Sequence, residues 1–281
     1  MDADEHRRAS AEMWEAAAPG WERRQEAMRS FAAPVSHWMV DAIHPQPGQR
    51  VLELAAGIGE TGFLAAELLA PSGGVITSDQ SEAMLGAARR RASQLELSNV
   101  EFQVLNAEWI DLPVGSVDGV LCRWGFMLMA DPATALRETR RVLRPQGRVA
   151  LAVWDEAAVN PWVALPGRLM VERGLSEPPA ADGPGVFALA APGRVAELLR
   201  DAGFTEVQTD TVDVKQRSDS FDAYWEQLLD MSPIVRDAVA GQGQQEIDAL
   251  RAGLRERLGE FTAQDGSLAI PGRTIVAAAT A

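Results

Sequence analysis

Short apolar runs rich in β-branched residues alternate with helical patterns between about residues 50 and 154. This alternation is typical of a parallel sheet covered by helices. Helices are predicted near residues 60–70, 82–97 and 132–144. Asp131 and Pro132 are expected to open the last of these, because aspartate caps a helix and proline needs no bonded N–H at its first position. The predicted strands cover residues 50–54, 75–78, 100–104, 117–121, 149–153, 205–214 and 273–279.

The flanking segments follow other patterns. Residues 1–45 look helical and carry more aromatic surface than a short leader needs, residues 155–196 are rich in Pro, Gly and Ala, and residues 219–262 return to a helical pattern. We therefore predict an N-terminal helical lid over 1–45 and an α/β core over 46–154. Residues 155–281 are expected to complete the sheet and to carry substrate-cap insertions at about 155–196 and 219–262, because insertions commonly determine ligand choice.

Composition excludes several classes of function. The chain has 281 residues, of which 47% are hydrophobic, so it can bury a sizeable core. Its net charge of -14 disfavours a nucleic-acid partner, since an acidic surface repels phosphates. The basic run from Arg89 to Arg91 is expected to be the solvated face of an amphipathic helix.

Metal and membrane functions find no support in the sequence. Cys122 is the single cysteine and there are three histidines, which predicts no metal site. No apolar stretch approaches the ~18 residues of a membrane span, and residues 1–12 lack a signal-peptide core. We expect a cytoplasmic protein that acts on a small molecule as a monomer or homodimer.

A glycine-rich loop follows the first predicted strand. Gly57, Gly59 and Gly62 let the backbone approach a ligand, and the N–H groups at the start of the next helix face it. Asp79 ends the second strand, where a carboxylate can bind both hydroxyls of a ribose. These features alone fit a nicotinamide dinucleotide enzyme equally well.

Glu53 separates the two possibilities. An acid at the end of the first strand would repel a pyrophosphate but attract a cationic amino group. The pattern therefore favours a ligand that has an ammonium group and a ribose but no phosphate. S-adenosylmethionine has these groups.

Four motifs of the sequence resemble those of the class I S-adenosylmethionine-dependent methyltransferases. The likeness is to the small-molecule branch similar to ubiquinone and menaquinone C-methyltransferases (methyltransferase type 11), and it covers about residues 14–154. The run from Glu53 to Gly59 resembles the first motif, with Ala55 and Ala56 where the family often has Gly and Cys. The second motif, around Asp79, implies that this carboxylate holds the ribose.

The same resemblance implies further cofactor contacts. Gln80 and Met84 would flank the adenine. The stretch Asn106-Ala107-Glu108 resembles a family loop that reads the adenine edge, with Asn106 in place of the usual Asp. Its amide oxygen can still accept a hydrogen bond from the adenine amino group. The fourth motif, residues 141–148, is structural, and the nicotinamide fingerprint predicts nothing there.

The resemblance implies a Rossmann-like, doubly wound, mostly parallel sheet of seven strands with helical cap insertions, in which residues 46–154 bind S-adenosylmethionine. Trp21 occupies a lid segment where the family places a tyrosine against the cofactor, with core packing as the alternative. The run from Arg123 to Met127 follows the fourth strand, where cofactor and acceptor should meet. His37 is a candidate base, although a solvated pair with Asp41 is the alternative.

These considerations give a defined set of candidate residues and no identified catalytic residue. The predicted cofactor-binding residues are Trp21, Glu53, Ala55, Gly57, Gly59, Asp79, Gln80, Met84, Asn106, Ala107, Glu108 and Arg123. The predicted substrate-binding residues are Trp14, His37, Trp124 and Met127, with core packing as the alternative for the last two.

The predicted function is transfer of the sulfonium methyl group to a small, largely apolar acceptor, at carbon or oxygen, by in-line displacement. Alignment of the reacting atoms and exclusion of water should supply most of the catalysis. Two alternatives stay open at this point: an NAD(P)-dependent oxidoreductase, and a protein on the same fold that binds the cofactor without transferring a methyl group.

Overall fold

The computed structural model describes residues 2–178 and 183–281 and contains one seven-stranded sheet. Two long helices, α1 (Ala3–Arg23) and α2 (Gln25–Ile43), precede it. The strand order is β3-β2-β1-β4-β5-β7-β6. The strands are β1 (Arg50–Glu53), β2 (Gly74–Asp79), β3 (Val100–Val104), β4 (Val117–Arg123), β5 (Leu143–Trp154), β6 (Thr205–Ser218) and β7 (Leu268–Thr280).

Helices cover the sheet, and side-chain caps open helices at Asp131, as predicted, and at Ser81. Asp131 Oδ1 accepts from the backbone N–H of Thr134 at 2.9 Å, and Ser81 Oγ accepts from that of Met84 at 3.1 Å. Both bonds satisfy N–H groups that the first helical turn leaves without a partner. The remaining helices are α3 (Glu60–Leu69), α4 (Glu82–Gln94), α5 (Pro132–Val142), α6 (Pro161–Glu172), α7 (Arg194–Asp201), α8 (Phe221–Met231), α9 (Pro233–Ala240) and α10 (Gln244–Arg257).

The prediction of a mostly parallel sheet is wrong, because the sheet is mixed. The five strands from β1 to β5 run parallel to one another, whereas β7 is antiparallel to both β5 and β6. The last strand thus enters between two earlier ones and forms a long antiparallel hairpin with β6. The small side chains from Ala277 to Ala279 in β7 are buried, which leaves room for the helices on both faces to pack close to the sheet.

Strand order positions the functional edge. β1 pairs with β2 on one side and with β4 on the other, so the direction of winding reverses beside β1. Loops at the carboxyl ends of such strands part at this point and leave a crevice in which open α/β sheets bind ligands. Glu53, Asp79 and Arg123 end β1, β2 and β4 and therefore lie along that crevice.

Three helices, α8 to α10, lie between β6 and β7 within the predicted insertion at 219–262. Together with α6 they enclose a second apolar cluster that includes Trp225, Leu250 and Leu254. In the predicted insertion at 155–196, residues 161–172 form α6 and residues 179–182 lie outside the described part of the chain. The domain boundaries themselves stay a prediction.

The first helix lies against α4 on one side and against the helices that follow β6 on the other. Arg24, directly after α1, donates its Nε–H to Asp230 in α8 at 2.6 Å. Gly20 lies so close to α8 that a β-carbon placed there would be 2.1 Å from the carbonyl oxygen of Asp230. A glycine is therefore required at this helix crossing for steric reasons.

The basic run Arg89 to Arg91 partly fits its predicted role. Arg89 and Arg90 are exposed on α4, and Arg90 pairs with Glu22 of α1 at 2.6 Å. Arg91 is more enclosed, because it lies between Glu26 at 2.9 Å and Glu60 at 3.7 Å. Carboxylates of α1 and α2 thus pair with Arg90 and Arg91, whereas Arg89 pairs with Glu82 of its own helix. Among the described residues, no helix combines the length and the hydrophobicity needed to cross a bilayer.

We predict that Gly20→Ala weakens docking of α1. The added methyl group cannot fit beside the Asp230 carbonyl, and overpacking of this kind costs about 1–3 kcal/mol. Hydrogen exchange should become faster throughout α1, with little change in β1 and β4. Gly167→Ala in α6 is the matched control, because a β-carbon there meets nothing within 4 Å and should stabilise its helix by roughly 0.5–1 kcal/mol. Equal protection of α1 in wild type and Gly20→Ala would contradict this packing.

Candidate functional site

Glu53 is a buried carboxylate at the end of the central strand β1. Its Oε1 accepts from the backbone N–H of Gly62 in α3 at 2.9 Å, whereas Oε2 is buried without a hydrogen-bond partner among the described residues. Burial raises the pKa of Glu53 to about 7, and the Gly62 N–H and Arg123 oppose that rise. An unpaired buried carboxylate oxygen is costly, and a cationic ligand would compensate for it.

The loop between β1 and α3 has a backbone path that suits close approach of a ligand. Ala55, Gly57 and Gly59 all have positive φ, at 49°, 55° and 87°. A β-carbon at Gly57 would meet nothing within 4 Å among the described residues, so this glycine faces open space. At Gly59 a β-carbon would lie 2.5 Å from the ring of Phe63, so packing also requires glycine there. Ala55 is exposed and bears the strain of its left-handed conformation.

Asp79 connects the end of β2 to the glycine loop. Its Oδ2 accepts from the Gly57 N–H at 2.8 Å and its Oδ1 from the Ser81 N–H at 3.0 Å. Burial raises the pKa of Asp79, against the effect of these backbone donors. Each oxygen keeps a further lone pair, so the carboxylate can still accept from hydroxyl groups of a ligand.

The loop after β3 is held differently from the expectation. The Asn106 Oδ1 accepts from the Glu108 N–H at 2.8 Å, which closes a local turn. Both oxygens of Glu108 are engaged: Oε2 accepts from Arg7 of α1 at 2.6 Å and Oε1 from the Ala130 N–H at 3.0 Å. Ala107 is buried between them. An adenine contact by Glu108 would therefore compete with Arg7, and this role stays a prediction.

Further bonds hold α1 across the carboxyl ends of β2 and β4. Gln80 donates its amide N–H to Ser10 Oγ at 2.9 Å, and Ser81 Oγ donates to Glu15 at 2.6 Å. His6 Nε2 lies 2.9 Å from the carbonyl oxygen of Leu128. The first helix thus lies directly over the predicted adenosine site.

Trp14, Trp21 and Met84 meet in one small cluster between α1 and α4. The two indole rings pack edge to face with centroids 5.5 Å apart, and Met84 is buried beneath them. The Trp21 Nε1–H donates to the carbonyl oxygen of Met231 at 3.3 Å, which ties it to α8. This placement favours a packing role for Trp21; contacts of these residues with cofactor or acceptor stay predictions.

Arg123 and Trp124 stand side by side where β4 ends. The Arg123 Nε–H donates to Thr61 Oγ1 at 2.9 Å, and the guanidinium carbon lies 4.6 Å from the Trp124 ring centroid. Trp124 has φ = 60°, which is an outlier for a bulky residue. Its indole is fixed by a 2.7 Å bond to Thr274 Oγ1 and by stacking on Trp154 at 4.3 Å. Such overdetermined strain is typical of functional sites.

Four aromatic rings form what we call the aromatic cluster, at the carboxyl ends of β4 and β5. Phe31 of α2 lies 5.8 Å from Trp124, 5.9 Å from Trp154 and 5.3 Å from Trp162, measured between ring centroids. Sequence reasoning missed Phe31, Trp154 and Trp162 as site residues because they are distant in the chain. The same holds for Arg7, Ser10 and Glu15, whose partners depend on how α1 crosses the sheet edge.

Two predicted substrate residues lie elsewhere. Met127 is buried, and its sulfur lies 3.5 Å from the backbone nitrogen of Trp154, beneath the end of β5, which favours the core alternative. His37 is exposed on α2, which favours the solvated surface alternative. A substrate contact by either residue stays a prediction. Among the described residues, no group of three or more His, Cys, Asp or Glu side chains could hold a metal ion.

The residues present fit S-adenosylmethionine. The unpaired Oε2 of Glu53 suits an ammonium group, Gly57 faces open space, and Asp79 has acceptor capacity for hydroxyls. The fold and this edge of the sheet define the class: an α/β enzyme that binds a nucleoside cofactor at the carboxyl ends of its parallel strands.

Comparison with known proteins agrees with this class. Residues 45–170 match the family model of a methyltransferase domain. The chain is 32% identical over 245 residues to nocamycin O-methyltransferase of Saccharothrix syringae, which covers 79% of this chain and 86% of that protein. It is 32% identical over 123 residues to the ubiquinone/menaquinone biosynthesis C-methyltransferase UbiE of Pasteurella multocida, over 43% of this chain and 46% of that protein. The crystal structure of YcgJ from Bacillus subtilis has the same fold, with a TM-score of 0.58, 18% identity, and coverage of 87% and 97% of the two chains.

The chain belongs to the class I S-adenosylmethionine-dependent methyltransferases that act on small molecules. Its cofactor is S-adenosylmethionine, as the sequence resemblance implies. The comparisons do not favour the nicotinamide oxidoreductase or the non-methylating alternative.

We predict that Glu53→Gln stabilises the free protein at alkaline pH. The pKa of Glu53 is raised from 4.5 to about 7 in the folded protein, so between these pH values the folded state keeps the carboxyl proton that the unfolded state has lost. The free energy of unfolding therefore falls as pH rises from 4.5 through 7. The variant avoids burial of the charge. In urea unfolding it should exceed wild type by on the order of 3 kcal/mol at pH 8, and by under about 1 kcal/mol at pH 5.

Glu101→Gln is the matched control, because this side chain is 70% exposed and its surface ion pair with Arg50 contributes little. It should change the free energy of unfolding by less than about 1 kcal/mol at either pH. If Glu53→Gln is no more stable than wild type at pH 8, Glu53 is not a desolvated acid.

Proposed function

We propose that this methyltransferase acts on a small, largely apolar acceptor, at oxygen or carbon, and that the aromatic cluster forms one wall of the acceptor site. The observation that carries the proposal is the close approach of the glycine loop to the residue that follows Trp124. A β-carbon at Gly125, directly after Trp124, would lie 2.7 Å from the β-carbon of Ala55. The predicted cofactor loop and the apolar wall are therefore immediate neighbours at the switch point of the sheet.

The chain's own residues perform binding, orientation and exclusion of water. Glu53 would hold the amino group of the cofactor, Asp79 the ribose, and the loops at Gln80 and Asn106–Glu108 would border the adenine. S-adenosylmethionine supplies an electrophilic methyl group on a cationic sulfur. An apolar wall suits this chemistry, since transfer by in-line displacement consumes the positive charge and strong stabilisation of that charge would raise the barrier. The O-methyltransferase name of the Saccharothrix relative supports oxygen as the methylated atom.

Methyl transfer to a panel of phenols and quinols tests the proposal, with release of S-adenosylhomocysteine as the readout. We expect turnover with at least one apolar member and tight binding of S-adenosylhomocysteine. Trp162→Leu should raise the KM of that acceptor about tenfold, which corresponds to about 1.4 kcal/mol of lost apolar contact, while cofactor affinity is retained.

The control variant is Trp109→Leu, which removes an indole that is 77% exposed and lies outside the aromatic cluster. Its acceptor KM should equal that of wild type. Turnover restricted to polar acceptors, or an acceptor KM that is the same in Trp162→Leu and wild type, would count against the apolar wall. Tight binding of a reduced nicotinamide dinucleotide, with no affinity for S-adenosylhomocysteine, would overturn the whole assignment.

A further inference from the structure

A half-buried arginine stands between the glycine loop and the aromatic cluster with part of its hydrogen-bonding capacity unused. The Arg123 Nε–H donates to Thr61 Oγ1 at 2.9 Å, and Nη1 lies 3.9 Å from the sulfur of Met28. Its Nη2 donates to no acceptor within residues 2–178 and 183–281. A guanidinium carries five N–H donors in a planar fork, so this arginine retains donors for a ligand.

The hydrogen bonds around Arg123 fix its position. Thr61 Oγ1, which accepts from the arginine, also lies 3.0 Å from Ser36 Oγ of α2. The guanidinium lies over the Trp124 ring, which is itself held by Thr274 and Trp154. A side chain positioned by α2, α3 and β4 together is preorganised for a contact.

Charge is present around Arg123, but no carboxylate in the described part of the chain forms an ion pair with it. One oxygen of Glu53 accepts a hydrogen bond from the Gly62 N–H, and Glu60 lies 3.7 Å from Arg91. Burial lowers the pKa of Arg123, while the charges of Glu53 and Glu60 oppose that effect. A desolvated cation without a contacting anion is unfavourable, and an anionic ligand that reaches it relieves the cost.

The surroundings of the guanidinium restrict the chemistry of that ligand. Met28 and Trp124 are apolar neighbours of the guanidinium, and the other rings of the aromatic cluster pack around Trp124. A ligand that fits both features has a flat or apolar body and one anionic oxygen. Carboxylates, acidic enols and acidic phenols share this chemistry.

We propose that Arg123 binds the anionic oxygen group of an acidic acceptor, so that the enzyme methylates a molecule that is already ionised. This inference rests on the proposed function. The acceptor oxygen donates an electron pair to the methyl carbon and forms the O–CH₃ bond, the S–CH₃ bond breaks, and its electron pair stays on sulfur. No proton has to leave during the step, which explains how the site works without an identified general base.

Calorimetric titration of the protein saturated with S-adenosylhomocysteine tests the proposal. The probes are matched pairs of an acid and its neutral amide: benzoate with benzamide and 2-naphthoate with 2-naphthamide. Wild type should bind at least one acid about tenfold or more tightly than its amide. Arg123→Gln should lose this preference, and Arg123→Lys should keep part of it, because it retains the charge but not the fork. Arg50→Gln, at the opposite end of the sheet, is the control with the same loss of charge and should behave as wild type.

Two results would overturn the proposal. Acids that bind no more tightly than their amides would remove the anion site, and so would a preference that persists in Arg123→Gln. Weaker binding of S-adenosylhomocysteine to Arg123→Gln, with the acid preference intact, would assign the guanidinium to the cofactor's carboxylate instead. Failure of the proposed function looks different, since wild type would then turn over only polar acceptors, or Trp162→Leu would keep the acceptor KM of wild type.

Discussion

A carboxylate buried at the end of the central strand is the constraint on which the rest of the site depends. Glu53 is removed from water by the strands on both sides of β1, and the start of α3 provides one hydrogen bond for its two oxygens. A β-carbon at Gly62 would lie 2.4 Å from Glu53 Oε2, so a larger residue there would displace the carboxylate. The free protein thus carries an electrostatic cost, and a cationic ligand at this position would relieve it.

Two further charged groups, the Arg7–Glu108 pair and Arg123, lie on opposite sides of the crevice. On the β2 side, α1 lies over the predicted adenosine site and Arg7 engages Glu108, so cofactor entry has to displace or coexist with the first helix. On the β5 side, Arg123 and the aromatic cluster would border the proposed acceptor site. The predicted cofactor site and the proposed acceptor site would therefore share one sheet edge but draw on different elements.

The parts of the structure that local sequence determines were predictable. Strand positions from β1 to β5 follow from β-branched runs, and the caps at Ser81 and Asp131 follow from side-chain chemistry. Glu53 and Asp79 could be placed because each ends a strand. In contrast, insertion of β7 between β5 and β6 depends on pairing between distant segments, and nothing local distinguishes it from a parallel arrangement. The aromatic cluster was missed for the same reason, since its four rings come from α2, β4, β5 and α6.

The most direct test of the role of Glu53 is the number of protons that the protein releases when it binds S-adenosylhomocysteine. Titration with S-adenosylhomocysteine at pH 6.5, in buffers of different ionisation enthalpy, measures both affinity and proton exchange. If Glu53 receives the ammonium group, its pKa falls on binding, so wild type should release somewhat under one proton, while Glu53→Gln should release none from this site and bind about tenfold or more weakly. Equal affinity and equal proton release in the two proteins would contradict the central claim.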